Sequence, residues 1–176
     1  MKIAIVGIDP HGKRLLTAAS KFTSKDMVAV VDLNTDALEH IDIVHKYENY
    51  EEMLKEFHPD IVVIATNGPS HFTLAKTAIL HEVKKILITK PLTCILQDAV
   101  EPRKLAESHQ VKIAVDHGLR YDDSYNWNLS HIKQNSWGKL FSVNIMRNGI
   151  GLGCMGTHSF DLANFLFDAI PQNVTA

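Results

Sequence analysis

The sequence has few of the features that mark secreted, membrane or nucleic-acid-binding proteins. Its 176 residues include only two cysteines, Cys94 and Cys154, too few for a disulfide framework, and this predicts a reducing compartment such as the cytoplasm. No apolar run approaches the roughly 20 residues that cross a bilayer, and the first residues lack the basic and apolar regions of a signal peptide. The net charge of −2 offers no electrostatic attraction to nucleic acid or to an anionic membrane. We therefore expect a cytoplasmic protein whose partners are neither nucleic acids nor membranes.

Metal-binding and low-complexity patterns are also missing. The ten histidines show no ligand spacing that suggests a metal site, so no metal is expected. The sequence contains no internal repeat. With 45% hydrophobic and 22% charged residues, its composition is that of a globular protein with a full core.

The first 32 residues have the layout of a dinucleotide-binding βαβ unit. A short apolar run at 3–6 ends at Gly7, a turn leads to Gly12 and a helical pattern, and a second apolar run at 27–31 ends at Asp32. In such units the glycine turn lets backbone N–H groups meet a pyrophosphate at a helix N-terminus. An acidic residue about 20 positions further on binds the adenosine ribose and disfavours a 2′-phosphate. The pattern therefore predicts a Rossmann-type unit that binds NAD, with NADP less favoured.

The glycine turn departs from the usual pattern at its middle position. Asp9 stands where a glycine would let the backbone approach the phosphates, and its carboxylate would face their negative charge. His11, Lys13 and Arg14 could supply positive charge nearby. His11 is a contact to the cofactor on this interpretation and an ordinary surface residue otherwise.

Strands continue to alternate with helices after Asp32, which predicts a doubly wound parallel sheet with right-handed crossovers. Further strands are predicted at 43–47, 60–65, 84–88 and 111–115. Ligands gather beyond the carboxyl ends of such strands. The polar or glycine residues at or just after these ends are Gly7, Asp32, Thr66, Lys90 and His117. This convergence predicts a ligand site at one edge of the sheet.

The predicted helices have recognisable start and stop signals. Asn49 has the spacing of a capping residue for the helix that follows it. Ser70 is a plausible N-cap for a helix at 71–80. A further helix is predicted from Thr93 onward, broken or kinked at Pro102.

The character of the sequence changes near residue 120, and we predict domains at 1–118 and 119–176. The second domain contains a predicted helix, a strand at 140–146, a glycine-rich loop at 148–156 and a final helix. These elements cannot easily bury a sheet face on their own, so this α/β domain looks incomplete. The chain is then a fragment, or a partner covers the strand, and we expect a homo-oligomer formed through this segment.

Three later stretches resemble motifs of one oxidoreductase family. Residues 60–71 (DIVVIATNGPSH) are similar to a strand that ends in a Thr-Pro-Asn turn and a histidine, and residues 88–92 (ITKPL) to a Glu-Lys-Pro signature. Residues 156–161 (GTHSFD) match a Gly-x-His-x-x-Asp segment that opens a helix of a second domain. The chain thus resembles the Gfo/Idh/MocA oxidoreductases, the glucose–fructose oxidoreductase and inositol dehydrogenase family. The resemblance covers essentially the whole chain but only about the N-terminal half of a usual member.

Three positions depart from the motifs of this family. Asn67 stands in the proline position of the first turn, and Thr89 replaces the glutamate of the Glu-Lys-Pro signature. Cys154 stands where the family often has an aspartate four positions before the histidine.

The resemblance implies NAD(P)-dependent hydride transfer at a hydroxyl carbon of a sugar, cyclitol or similar polyol. Lys90 would hydrogen-bond the reacting hydroxyl, and His158 would accept or donate its proton, since an imidazole titrates near neutral pH. The expected cofactor-binding residues are Gly7, Asp9, His11, Gly12, Asp32, Thr66, Asn67, His71 and Thr89. His71 could alternatively cap a helix. A catalytically decayed or truncated nucleotide-binding or scaffold module of the same fold is the alternative interpretation.

Overall fold

Six parallel strands form the sheet on which the first part of the protein is built. The computed structural model describes residues 1–146, 151, 155–173 and 175, and the chain divides into two units, Met1–Asp116 and His117–Ala176. The predicted glycine-rich loop at 148–156 lies largely outside the described residues, as does Cys154. The first unit ends after Asp116, where the sequence predicts a domain boundary after residue 118.

The strand order is β3-β2-β1-β4-β5-β6, so the chain winds outward from β1 in one direction and then returns to continue from β4 in the other. The strands are β1 (Ile3–Val6), β2 (Val28–Val31), β3 (His45–Tyr47), β4 (Ile61–Ile64), β5 (Lys85–Thr89) and β6 (Lys112–Asp116). All neighbouring pairs are parallel, and Val6 is in register with both Val31 and Ile64. The chain therefore leaves β1, β2 and β4 at one common edge, and the order reverses between β1 and β4.

Helices cover both faces of this sheet. They are α1 (Pro10–Ala19), α2 (Thr35–Glu39), α3 (Tyr50–Phe57), α4 (Gly68–Leu80) and α5 (Leu96–Ser108). Alternate residues of β1 face opposite sides: Ala4 and Val6 join the core formed with α3, α4 and α5, while Ile3 and Ile5 join the core formed with α1 and α2. The predicted Rossmann-type doubly wound sheet is confirmed.

Two of the predicted helix boundaries are wrong. α4 begins at Gly68 with Asn67 as its N-cap residue, so Ser70 lies inside the first turn, where its hydroxyl donates to the Asn67 carbonyl oxygen at 2.8 Å. Pro69 is compatible with this start because the first helical turn does not use its own N–H groups. α5 begins at Leu96, later than expected, and continues through Pro102. Pro102 is buried, and the free energy gained by burying its ring opposes the cost of the helix hydrogen bond that the ring removes.

The second unit contains helices in its described part. A short 3-10 helix (Gly118–Tyr121) precedes α6 (Asp123–Lys133), and α7 spans Thr157–Phe167. The strand predicted at 140–146 is wrong, because these residues have no regular secondary structure. Within the described residues of this unit there is no second strand that could pair with it, and an isolated strand leaves its backbone groups unpaired.

An aromatic cluster lies on α6 and the turn that follows it. The ring of His131 stacks on Trp137 with centroids 4.8 Å apart and lies 4.1 Å from Trp127. Both tryptophans are more than half exposed. None of the helices in the described parts of the chain is long and apolar enough to cross a membrane.

Candidate functional site

A cleft of about 490 Å³ opens at the edge of the sheet where the strand order reverses. It is lined by residues that follow three different strands: Gly7 and Asp9 after β1, Asp32 after β2, and Thr66 and Asn67 after β4. Each of these five residues is a predicted cofactor contact. Its volume lies within the range of about 300–1,000 Å³ that is usual for small-molecule sites. The structure therefore brings three of the predicted strand-end residues, Gly7, Asp32 and Thr66, together at one concave site within the first unit. Lys90 is not among the residues that line this cleft, and His117 belongs to the second unit.

Both glycines of the first turn are required by close approaches of the backbone. Gly7 has a φ of +90°, and a Cβ atom there would lie 2.8 Å from the carbonyl oxygen of Ala65. A Cβ atom on Gly12 would lie only 1.9 Å from the carbonyl oxygen of Gly7. Gly12 thus lets α1 start directly against the end of β1, which is the packing expected of the last glycine in a dinucleotide-binding turn.

Asp9 caps α1 with its own carboxylate. Its Oδ1 atom accepts hydrogen bonds from the backbone N–H groups of Gly12 at 2.7 Å and His11 at 2.9 Å. Pro10, which lies between Asp9 and His11, has no N–H group to donate. The donors at the start of this helix therefore already serve a negatively charged group of the protein itself.

Asp32 is held in place by backbone groups on either side of it. Its Oδ2 atom accepts from the Ile8 N–H at 2.6 Å, and its Oδ1 atom accepts from the Asn34 N–H at 2.8 Å. A carboxylate oxygen can accept more than one hydrogen bond, so both oxygens can still accept from hydroxyl groups of a ligand. The contacts thus fix the orientation of Asp32 at the cleft without using up its capacity to bind a diol.

The cleft has an apolar wall beside Asp32. Leu33, Tyr50 and Leu74 line it there, and the Tyr50 hydroxyl donates to the Leu74 carbonyl oxygen at 3.1 Å. Burial raises the pKa of the Tyr50 phenol, which stays a neutral donor. A flat apolar ring can pack against this wall while polar groups of the same ligand reach Asp32.

His11 bridges two distant parts of the first unit. Its Nδ1 atom lies 3.1 Å from a guanidinium nitrogen of Arg14, which can only donate, so Nδ1 is the acceptor. Its Nε2 atom then donates to the Asp116 carboxylate at the end of β6, also at 3.1 Å. The ring is therefore connected to the end of the sixth strand.

His71 lies below the cleft and connects two turns. It is fully buried, with Nδ1 at 2.7 Å from the Pro91 carbonyl oxygen and Nε2 at 3.0 Å from the Thr66 carbonyl oxygen. Its ring nitrogens meet carbonyl groups and not the N–H groups that a helix cap would bind. His71 therefore acts on the cleft through the backbone of Thr66.

Replacing His71 by phenylalanine should lower the free energy of unfolding by about 1–3 kcal/mol, because a buried carbonyl group loses the N–H group of the ring as its hydrogen-bond donor. Urea denaturation followed by circular dichroism measures this change. The control is His40→Phe at an exposed position, which should stay within about 0.5 kcal/mol of the wild type. Equal effects of the two substitutions would contradict the role given to the His71 ring.

Thr89 and Lys90 lie at the carboxyl end of β5, the strand beside β4. Thr89 ends β5 and is 5% exposed, and Lys90 comes directly after it. The segment beyond Lys90 packs closely on the start of α4, since a Cβ atom on Gly68 would lie 2.8 Å from Cys94 Sγ and 3.2 Å from Pro91 Cγ. Together with the ring of His71, this contact fixes the lysine-bearing turn beside the turn at Thr66.

In the second unit, His158 lies in the first turn of α7. Its ring meets the ring of His117 edge-on, with centroids 5.5 Å apart. One helical turn further on, Asp161 forms a two-pronged ion pair with Arg120, in which Nε donates to Oδ2 and Nη2 donates to Oδ1, each at 2.7 Å. These hydrogen bonds raise the pKa of Arg120. The ion pair joins α7 to the preceding 3-10 helix and so orients His158.

The sequence did not predict the partners of His158 and Asp161. His117 was identified only as a strand-end residue, and Arg120 only as the point where the composition changes. The spacing of His158 and Asp161 places both on one face of a helix, which is the signal from which a basic partner for Asp161 could have been expected.

The chain is similar to known oxidoreductases. The family model GFO_IDH_MocA, described as "Oxidoreductase family, NAD-binding Rossmann fold", matches residues 1–117. An uncharacterized oxidoreductase of Synechocystis sp., sll0816, is 25% identical over 146 residues, which cover 72% of this chain and 39% of that protein.

Solved structures share the fold at low sequence identity. The scyllo-inositol dehydrogenase of Lactobacillus casei with bound NAD(H) and scyllo-inositol is 18% identical, with a TM-score of 0.78, and the match covers 96% of this chain and 56% of that one. The myo-inositol 2-dehydrogenase of Lactobacillus plantarum is 22% identical, with a TM-score of 0.79 and the same coverage of 96% and 56%. The chain thus spans little more than half the length of these structures.

Proposed function

Because this chain belongs to the Gfo/Idh/MocA oxidoreductase family, with its NAD-binding Rossmann fold, we propose that it takes part in hydride transfer between NAD and a hydroxyl carbon of a sugar, cyclitol or similar polyol. The observation that carries the proposal is the cleft where the strand order reverses, which Gly7 and Asp32 line, beside the close packing of Gly12 on Gly7. The residues present fit the cofactor. The turn permits a close approach of backbone, and Asp32 is oriented with free acceptor capacity for a ribose diol.

Two residues are proposed to act on the substrate. The ammonium group of Lys90 donates a hydrogen bond to the reacting hydroxyl oxygen and so lowers the cost of removing its proton. An imidazole nitrogen of His158 accepts this proton during oxidation and returns it during reduction. When bound, NAD supplies the hydride acceptor. His117 and the Arg120–Asp161 ion pair support His158 within its own unit.

Titration with NADH and NADPH in parallel, followed by nicotinamide fluorescence, tests the cofactor part of the proposal. We expect saturable NADH binding that is clearly tighter than NADPH binding, because the carboxylate of Asp32 repels a 2′-phosphate. Asp32→Asn should weaken NADH binding by about tenfold and reduce the preference over NADPH, since it removes a charged acceptor.

Asp36→Asn is the matched control, because it removes the same charge from an exposed position on α2. It should leave both affinities unchanged within about a factor of two. If NADPH bound the wild-type protein as tightly as NADH, the role given to Asp32 would be wrong.

A non-catalytic nucleotide-binding or scaffold module is the second candidate. Two observations favour it: the Asp9 carboxylate occupies the helix N–H groups, and Thr89 stands in the glutamate position. Polyol-dependent NADH formation by the wild-type protein would exclude this candidate. Turnover that appears only after Thr89→Glu and Cys154→Asp are combined would support it in the form of a decayed enzyme.

The proposal that the protein forms homo-oligomers rests on exposed apolar residues of the second unit. Phe141 is 91% and Met146 is 90% exposed, in the segment that the sequence assigns to a strand. Where exposed apolar residues of this size form one contiguous patch, the patch commonly marks a contact with a partner. Light scattering that shows a monomer at high concentration would contradict the proposal.

A further inference from the structure

The carboxylate of Asp9 lies where a dinucleotide-binding fold places the negative charge of its ligand. In such folds the pyrophosphate lies at the N-terminus of the helix after the glycine turn and accepts hydrogen bonds from its first N–H groups. Here Asp9 Oδ1 accepts from two of them, His11 N and Gly12 N, at 2.9 and 2.7 Å. Asp9 also lines the cleft between Gly7 and Asp32.

Few other N–H groups of this turn are available to bind the pyrophosphate in place of those of His11 and Gly12. Pro10 has no N–H group, and the Ile8 N–H already donates to Asp32 at 2.6 Å. The Gly7 N–H donates to the Val31 carbonyl oxygen at 2.8 Å. When a pyrophosphate enters the cleft, the helix N–H groups are therefore already hydrogen-bonded to Asp9, and the Asp9 carboxylate repels the negative charge of the phosphates.

We propose that Asp9 is an internal competitor of the cofactor, so that NAD binding exchanges the Asp9 carboxylate for a phosphate oxygen at the N-terminus of α1. This inference rests on the proposed cofactor site and adds a residue that sets its affinity. Asp9 stabilises the helix in the free protein, and the same contacts lower the affinity for NAD. This competition lowers the affinity only of ligands that carry phosphate groups.

Three proteins separate the competition for N–H groups from simple charge repulsion: the wild type, Asp9→Asn and Asp9→Gly. Asparagine is as good an N-cap as aspartate but uncharged, whereas glycine leaves the two N–H groups without a side-chain acceptor. The expected order of NADH affinity is glycine, then asparagine, then wild type, with a gain of about tenfold for Asp9→Gly and about threefold for Asp9→Asn. Adenosine, which has no phosphate, should bind all three within about a factor of two.

Stability supplies an independent signal, because the loss of a cap should lower the melting temperature. Asp9→Gly should melt at a lower temperature than the wild type without ligand, although it binds NADH more tightly. The matched control is Asp122→Gly, which removes a similar cap, on the Ser124 N–H at 2.9 Å, from a helix of the second unit. This control should lose stability and leave NADH affinity unchanged.

Each other result contradicts a defined part of the proposal. Equal NADH affinity in all three proteins would show that Asp9 does not compete, while the cofactor site itself would stand. Equal gains for Asp9→Asn and Asp9→Gly would reduce the effect of Asp9 to charge repulsion and overturn the exchange. Absence of NADH binding in all three, in protein that is folded by circular dichroism, would overturn the cofactor site together with this inference.

Discussion

Replacing Gly12 by alanine should lower the free energy of unfolding by at least about 3 kcal/mol and abolish NADH binding. The added Cβ atom would lie 1.9 Å from the carbonyl oxygen of Gly7, about half of an ordinary contact distance. That oxygen belongs to the backbone and cannot move aside as a flexible side chain can. Gly7 itself is held in place, because its N–H group donates to the Val31 carbonyl oxygen and its Cα packs tightly against the backbone of Ala65. The first turn of α1 would therefore have to leave the end of β1.

Urea denaturation followed by circular dichroism, together with the NADH titration, measures both effects. Gly151→Ala is the control, because no atom of the described residues beyond its chain neighbours lies within 4 Å of the position that its Cβ would take. It should change the free energy of unfolding by no more than about 0.5 kcal/mol. A Gly12→Ala protein that is as stable as this control would show that the close packing of α1 on the turn is not essential.

Replacing Lys90 by alanine should reduce polyol-dependent NADH formation by at least about 100-fold, which is the usual loss when one hydrogen-bond donor to an oxygen that develops negative charge is removed. NADH affinity should change by less than about twofold. The reason is that Lys90 follows β5, whereas Gly7, Asp32 and Thr66 of the cofactor cleft follow other strands. Rate and affinity therefore separate the reaction from the binding of the cofactor.

Lys104→Ala is the control for this prediction, since it removes an equal charge from an exposed position on α5. Any preparation that forms NADH from a polyol allows the comparison, and the rate of the control should equal that of the wild type. If Lys90→Ala kept a third of the wild-type rate, Lys90 would not be the residue that activates the hydroxyl group.

The parallel sheet could be predicted from the sequence because its strands are local and strongly patterned. The runs IAIV, VAVV and IVVI are apolar throughout, as strands buried on both faces must be, and turn residues bound them. The strand predicted at 140–146 (LFSVNIM) alternates apolar and polar residues in part, but it has no neighbouring strand in the described part of its unit. A strand depends on its partner, and no local pattern reveals whether the partner is present.

The candidate site follows the same division between local and distant contacts. Gly7, Gly12 and Asp32 could be recognised from spacing alone, because they stand within one βαβ unit. The carbonyl groups next to the His71 ring lie five and twenty positions away, and Arg120 lies 41 positions from Asp161. Such pairs depend on how elements pack, so the sequence could indicate the residues but not their partners. For Asp9, the sequence indicated the conflict with a phosphate but not that the carboxylate turns onto the helix N–H groups.

The two neighbouring tryptophans, whose ring centroids lie 5.3 Å apart, have a practical consequence for experiments on the fold. The sequence contains two tryptophans, and both belong to the second unit. Their emission spectrum therefore reports on the surroundings of α6, while all strands in the described part of the chain, and so their far-ultraviolet circular dichroism signal, belong to the six-stranded sheet of the first unit. One sample of the Gly12→Ala protein, unfolded while both optical signals are recorded, reveals whether damage at the first turn spreads to the helices beyond residue 116 or stays within the sheet.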